Sequence, residues 1–170
     1  MAMQYGLIVG IIYILITCLV NLTVDNVILF NVLKFIFYIV YFIITGIFVS
    51  RIKKANGGYL EFKDAFSSVI IIVAGAGLLY FIFNFVYLEY INPQFMTQYK
   101  MAMIHMMEKY KVADAQIEKS TEDFDKGIAE AKNFSLAKNL GSYFGYVILD
   151  SLFGLIVAIS VRKNKPIFEQ

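Results

Sequence analysis

The chain has 170 residues, 59% of them hydrophobic and 16% charged, with a mean hydropathy of +0.68; ordinary soluble domains carry roughly 45–50% apolar and about 25% charged residues, so the excess points to a bilayer as solvent. A net charge of +2, with the Lys and Arg residues other than Lys34 in loops and tail and forming no extended basic face, points away from a nucleic-acid surface. The single cysteine, Cys18, lies inside an apolar run and excludes both an intrachain disulfide and a cysteine-built metal site.

From the N-terminus, MAMQYG lacks the basic region of a secretory signal, and VNLTVD after the first apolar run offers no small-x-small cleavage site, so that run is expected to stay as an anchor. Uncharged apolar runs of about 20 residues match the hydrocarbon thickness a helix must cross. They place spans at about 5–24, 28–50, 65–88 and 140–161. Only a tight turn around Asp25 and Asn26 fits between the first two, which makes them an antiparallel hairpin. The second connection, RIKKANGGYLEFKD, carries Arg51, Lys53, Lys54 and Lys63, and the tail adds Arg162, Lys163 and Lys165. Excess basic residues favour the cytoplasm, so both termini are expected inside, with Lys138 near a span edge weakening the contrast. Gly57 and Gly58 permit a sharp turn, after which Glu61 and Asp64 suit the positive end of the third helix.

The third connection, residues 89–139, has seven lysines against eight acids and is expected to be outside and helical. Asn92-Pro93 breaks the third span, since proline removes a backbone donor. Beyond it, Met96, Met103, Met107 and Tyr110 recur at helical spacing within 94–112, and Ile117, Phe124, Ile128 and Ala131 within 113–134. The two helices either pair through these stripes or lie on the membrane surface. The expected fold is thus an all-α integral membrane protein: one membrane domain over residues 1–170, four transmembrane helices, and a helical extramembrane segment between the third and fourth.

Within a bilayer, helices associate through small residues and interhelical hydrogen bonds. Each span carries such a series at steps of three and four, which keeps it on one helix face: Gly6, Gly10, Tyr13, Thr17 and Asn21; Asn31, Lys34, Tyr38, Tyr41 and Thr45; Gly77, Tyr80, Asn84 and Tyr87; Tyr143, Tyr146, Asp150, Gly154 and Ala158. Gly141 and Gly145 fall on the face opposite Asp150 and suit a second contact, such as a homodimer.

Asp150 and Lys34 are the charges deepest in the membrane, where an unpaired charge costs roughly 2.5–3.5 kcal/mol on insertion scales. At about 1.5 Å per residue, Asp150 is about 15 Å into its span and Lys34 about 9 Å into a span of the same direction. The offset of about 6 Å is within a lysine's reach, so a Lys34–Asp150 pair is allowed. Otherwise Lys34 snorkels to the outer interface, leaving Asp150 protonated and bonded to Tyr or Asn.

No catalytic constellation emerges. The lone histidine, His105, falls in the outer segment, away from any span serine, and the spans supply a single carboxylate where an aspartyl protease needs two. The run MAMIHMMEKY offers Met101, Met103, His105, Met106 and Met107 as soft donors for Cu(I), but Met101 and His105 diverge from the helix face of the others. Packing is the reading kept, and no metal or other cofactor is expected.

An early YGLIVG span, GGYLEFKDAF leading into a small-residue span, INPQF opening a charged helical segment, and a last span with a basic tail together resemble the domain of unknown function 4199 family. The resemblance runs over nearly the whole chain. It implies a small bacterial inner-membrane protein with four spans, and it supplies no assigned activity and no functional residues. The function expected is a non-enzymatic structural or interaction component of the bacterial envelope, in contact with lipid and with an envelope protein or a second copy. The alternative is a small proton- or ion-coupled transporter or channel subunit using Asp150 and Lys34.

Overall fold

The computed structural model describes residues 1–132 and 136–165, with the side chains of 131–132 and 136–139 left aside. The side chains of Ala131 and Lys138, and residues 133–135 of the connection, lie outside the described residues. The elements are α1 (Ala2–Asn21), α2 (Val27–Ala55), α3 (Phe62–Val86), a π-helical turn (Tyr87–Ile91), α4 (Phe95–Lys109), α5 (Asp114–Lys132) and α6 (Leu136–Val161). Among the described residues four helices are long and apolar enough to cross a membrane: α1, α2, α3 with its π turn, and α6 from Leu140. The expected all-α architecture is therefore what the chain adopts.

The helix ends differ from the expected spans for local reasons. α1 stops at Asn21 because the hydroxyl of Thr23 and the backbone N–H groups of Leu22 and Thr23 turn back to the last carbonyls. Asn26 then caps α2, its side-chain oxygen accepting from the Leu29 N–H at 3.1 Å. α2 runs for 29 residues, about 43 Å at the standard rise, so its last turn with Lys53 and Lys54 projects past a hydrocarbon core of about 30 Å. Gly57 and Gly58 adopt φ of 73° and 87°, and their N–H groups return to the carbonyls of Lys54 and Lys53. Left-handed φ is the conformation glycine adopts without penalty. α3 opens at Phe62 with Asp64 in its first turn and runs on through the π turn to Ile91, just before Asn92-Pro93.

α3 is the centre of the bundle, packing most extensively on α1 and α6 and less on α2. Its buried stripe of Ala65, Val69, Ile72, Val73 and Ala76 joins Val9, Tyr41, Val49 and Ala158 in one core. A second cluster, Val20, Val24, Phe30 and Phe95, closes the far end. Many large apolar side chains, such as Leu15, Leu19, Phe35 and Ile156, face outward. That pattern puts hydrocarbon around the bundle.

α4 and α5 form a hairpin: the Tyr99 and Phe124 rings stack at 5.9 Å and Lys100 pairs with Asp125 at 2.7 Å. Of the expected stripes, Met96, Met103, Met107, Ile117, Phe124 and Ile128 are half-buried. Tyr110 is exposed, because α4 ends just before it. At the basic end, Leu60 and Lys163 exchange two backbone hydrogen bonds of 2.8 Å. This clasp ties the loop before α3 to the chain leaving α6.

Candidate functional site: an aspartate and tyrosine junction

The four spans each send a polar aromatic or acidic side chain to one level of the bundle. Tyr13 of α1 lies 5.2 Å, ring to ring, from both Tyr41 of α2 and Tyr80 of α3. Tyr38, one turn before Tyr41, stacks on it at 6.3 Å and 19°. Its hydroxyl donates to Oδ1 of Asp150 on α6 at 2.7 Å, within the usual range for an O–H···O bond. Residues three or four apart share a helix face, which is why Tyr38, Tyr41 and Thr45 all turn inward from α2.

Small residues let α6 come close enough for that bond. A Cβ on Gly154 would stand 2.5 Å from a Val69 methyl, and one on Gly46 would touch Val157 at 3.5 Å. Higher on α6, the Tyr143 hydroxyl donates to the Ala74 carbonyl at 2.9 Å. Phe42 and Phe153 pack 5.8 Å apart beside Tyr38 and shield its bond to Asp150 on one flank.

Most of the expected seam faces inward. Gly6, Gly10, Thr17, Asn21, Tyr41, Thr45, Gly154 and Ala158 are buried, and Tyr13, Tyr38, Gly77, Tyr80, Asn84, Tyr87, Tyr143 and Asp150 are half-buried. Asn31, Lys34 and Tyr146 depart from it: all three are exposed, Tyr146 by 68%. Asn31 still bonds the Val27 carbonyl and reaches the Tyr99 hydroxyl of α4 at 3.4 Å. Thr17 and Thr45 return their hydroxyls to carbonyls of their own helices, so they pack in the seam without bridging it.

The Lys34–Asp150 ion pair does not form. The Lys34 ammonium sits over the Phe30 ring, 4.8 Å from its centroid, while the Asp150 carboxylate takes its hydrogen bond from Tyr38. Ion pairs among the described residues lie instead on α4 and α5, such as Lys100–Asp125 and Lys126–Glu122. Helical side chains lean toward the N-terminus, which carries Lys34 toward the Val27 end of α2 while Asp150 meets Tyr38 one turn further along. The direction of the lysine stem decides against the pair.

The glycines divide into two groups. A Cβ on Gly6 would stand 2.9 Å from the Ile72 carbonyl oxygen, and one on Gly10 would stand 3.0 Å from the Ala76 Cα. Gly6 and Gly10 are thus where α1 and α3 touch backbone to backbone. A Cβ on Gly141 or Gly145 would meet nothing within 4 Å among the described residues, so neither glycine marks a close helix approach there. In α4, Met101 is 66% exposed and the His105 side chain 83% exposed beside Glu108, whereas Met103, Met106 and Met107 are half-buried. The five donors do not converge.

Sequence reasoning missed the Phe42 and Phe153 flank and the Leu60–Lys163 clasp. The aromatic flank had a signal in the four-residue step from Tyr38 to Phe42 and the three-residue step from Asp150 to Phe153. The clasp had none, because backbone pairing between two short loops leaves no side-chain pattern.

Residues 4–163 match the family described as Protein of unknown function (DUF4199). The chain belongs to the DUF4199 family. That match takes in all four spans, the hairpin and the junction, so the DUF4199 region and the membrane bundle are coextensive. No curated protein and no solved structure matches the chain.

Proposed function

We propose that this DUF4199 protein is a non-enzymatic component of the bacterial inner membrane that holds the α4–α5 hairpin as a docking platform for another envelope protein. The observation behind this reading is that the hairpin is fastened to the bundle. Phe95 at the start of α4 is buried with Val20, Val24 and Phe30, its ring 6.0 Å from Phe30 and 5.6 Å from Tyr87. Tyr99 adds a ring contact with Phe30 at 5.5 Å. A segment held this way presents its outer face with little ordering cost on binding. That face is acidic: Asp114–Lys132 contains six acids and three lysines. Basic loops at the other end of the bundle favour an orientation with both termini in the cytoplasm and the hairpin outside.

Co-purification in mild detergent tests the reading. The full chain is expected to retain a specific partner that is lost when residues 94–134 are replaced by a short polar linker, and unchanged retention would remove the hairpin as the contact.

The bond between Tyr38 and Asp150 supports a second reading, a small proton- or ion-coupled transporter or channel subunit, now centred on Asp150 and the tyrosines without Lys34. Intramembrane acids commonly mark ion paths. Reconstituted protein would then lose proton or ion flux in Asp150→Asn, and flux equal to the parent's would take Asp150 out of any such mechanism.

A further inference from the structure

The facing residues of α2 and α6 fix how these helices lie: Tyr38 meets Asp150, Phe42 meets Phe153, Gly46 meets Val157 and Lys53 meets Val161. Both series ascend together, so the helices are parallel and in contact over several turns. Between their outward faces lies a groove of about 520 Å³, walled by Phe35, Ile39 and Ile43 on one side and Phe153, Ile156 and Ser160 on the other. The Ser160 hydroxyl is already bonded to the Ile156 carbonyl at 2.7 Å, so the groove offers a ligand almost nothing but hydrocarbon.

Its length, its apolar lining and the charge at one end point to the occupant. On α2 the lining runs from Phe35 to Gly46, eleven residue steps or about 17 Å, close to one leaflet of a core about 30 Å thick. A groove of about 520 Å³ along that length has room for extended hydrocarbon. A single hydrocarbon chain fits it.

The groove ends against positive charge. Val161 lines it, and the Val161 carbonyl accepts from the Lys53 ammonium at 2.9 Å, which leaves two of that group's three N–H donors for another acceptor. Residues 51–64 and 162–165 hold seven cations and two acids. Neither acid, Glu61 or Asp64, is in an ion pair among the described residues. Arg51 and Lys163 turn to the Phe48 and Tyr59 rings. Lys53 is thus a cation held against a residue at the end of the groove.

We propose that the α2–α6 groove seats one acyl chain of an anionic phospholipid from the leaflet at the basic end, with its phosphate against Lys53. Basic pockets between spans bind anionic headgroups, and here an acyl-chain groove is continuous with such a pocket. The inference stands apart from the hairpin's role, since groove and hairpin lie at different places on the bundle.

Native mass spectrometry of the full chain in mild detergent tests it, using phosphatidylglycerol and phosphatidylcholine with identical acyl chains as probes. The wild type is expected to retain one phosphatidylglycerol about fivefold more than phosphatidylcholine, the contribution of about one lysine. Lys53→Gln keeps an N–H donor for the Val161 carbonyl and is expected to bring the two lipids level. Ile156→Trp fills the groove from a position that is 66% exposed, leaving the core untouched, and is expected to lose both lipids. Equal retention of the two lipids by the wild type, a preference surviving in Lys53→Gln, or undiminished retention in Ile156→Trp would each overturn the proposal.

Discussion

Asp150 owes its position to one hydrogen bond and two glycines, Gly154 and Gly46. Its bond from Tyr38 at 2.7 Å joins α2 to α6 in a medium where water cannot take over the partner's role, yet measured interhelical bonds in membranes average only about 0.6 kcal/mol and reach about 1.7. Tyr38→Phe is therefore expected to destabilise the bundle by about that amount, read as a lowered midpoint of unfolding in mixed detergent. Asp150→Asn keeps an oxygen for the Tyr38 hydroxyl while removing a charge that is expensive to bury. Its midpoint is expected to equal or exceed the parent's; a clear fall would mean that the charge itself holds the site together. The seam containing Asp150 was legible because polar and small residues at steps of three and four stand out in an apolar span. The choice of its partner, Lys34 or a tyrosine or asparagine, was not, since spacing gives depth but not the lean of a lysine stem, and Lys34 leans onto Phe30.

Among the elements, α3 organises the bundle, and its contact with α1 is set by backbone approach at Gly6 and Gly10. A side chain at Gly6 would press on the Ile72 carbonyl at 2.9 Å, and a helix backbone cannot yield as a flexible side chain does. Gly6→Val or Gly10→Val is expected to cost about 1–3 kcal/mol through overpacking. Gly141→Val, with nothing within 4 Å, is expected to leave unfolding of the monomer unchanged, and comparing the unfolding midpoints checks both. The spacing alone makes the two GxxxG pairs alike, and it was the position of Gly141 and Gly145 opposite Asp150 that set them apart. The difference is which face of each helix meets a neighbour, and the purely aliphatic stripe of α3, with Ala65, Val69, Ile72 and Val73, cannot be told from its lipid-facing side by residue type.

α4 shows the same limit in another form. Its periodicity predicted a helix but left open whether it lies on the membrane or pairs with α5, and the choice is made by Phe95 and Tyr99 meeting α2 and α5. Phe→Ala truncation in a core costs about 3–5 kcal/mol, whereas exposed ion pairs contribute about 0–1 kcal/mol. Limited proteolysis is accordingly expected to cut the hairpin much faster in Phe95→Ala, and at nearly the parent's rate in Lys100→Ala. Equal rates in both variants would mean that the hairpin is not held by its apolar anchor.

At the scale of the whole molecule, the four spans were readable because they respond to bilayer thickness, a constraint that needs no tertiary detail. Their assembly puts a basic clasp, Leu60 with Lys163, at one end and an acidic hairpin at the other. An even number of spans brings the start of α1 and the end of α6 to the clasp end. The platform reading depends on the hairpin standing across the membrane from them.

Single cysteines introduced at Glu118 on α5, at Lys54 near the end of α2 and at Lys165 in the tail, in a Cys18→Ala background, test that arrangement with a membrane-impermeant maleimide on intact cells. Position 118 is expected to label at once, and positions 54 and 165 only after permeabilisation. Labelling of all three positions from the same side would contradict the four-span arrangement, and labelling of 54 and 165 alone in intact cells would put the hairpin inside and remove it as an outward platform.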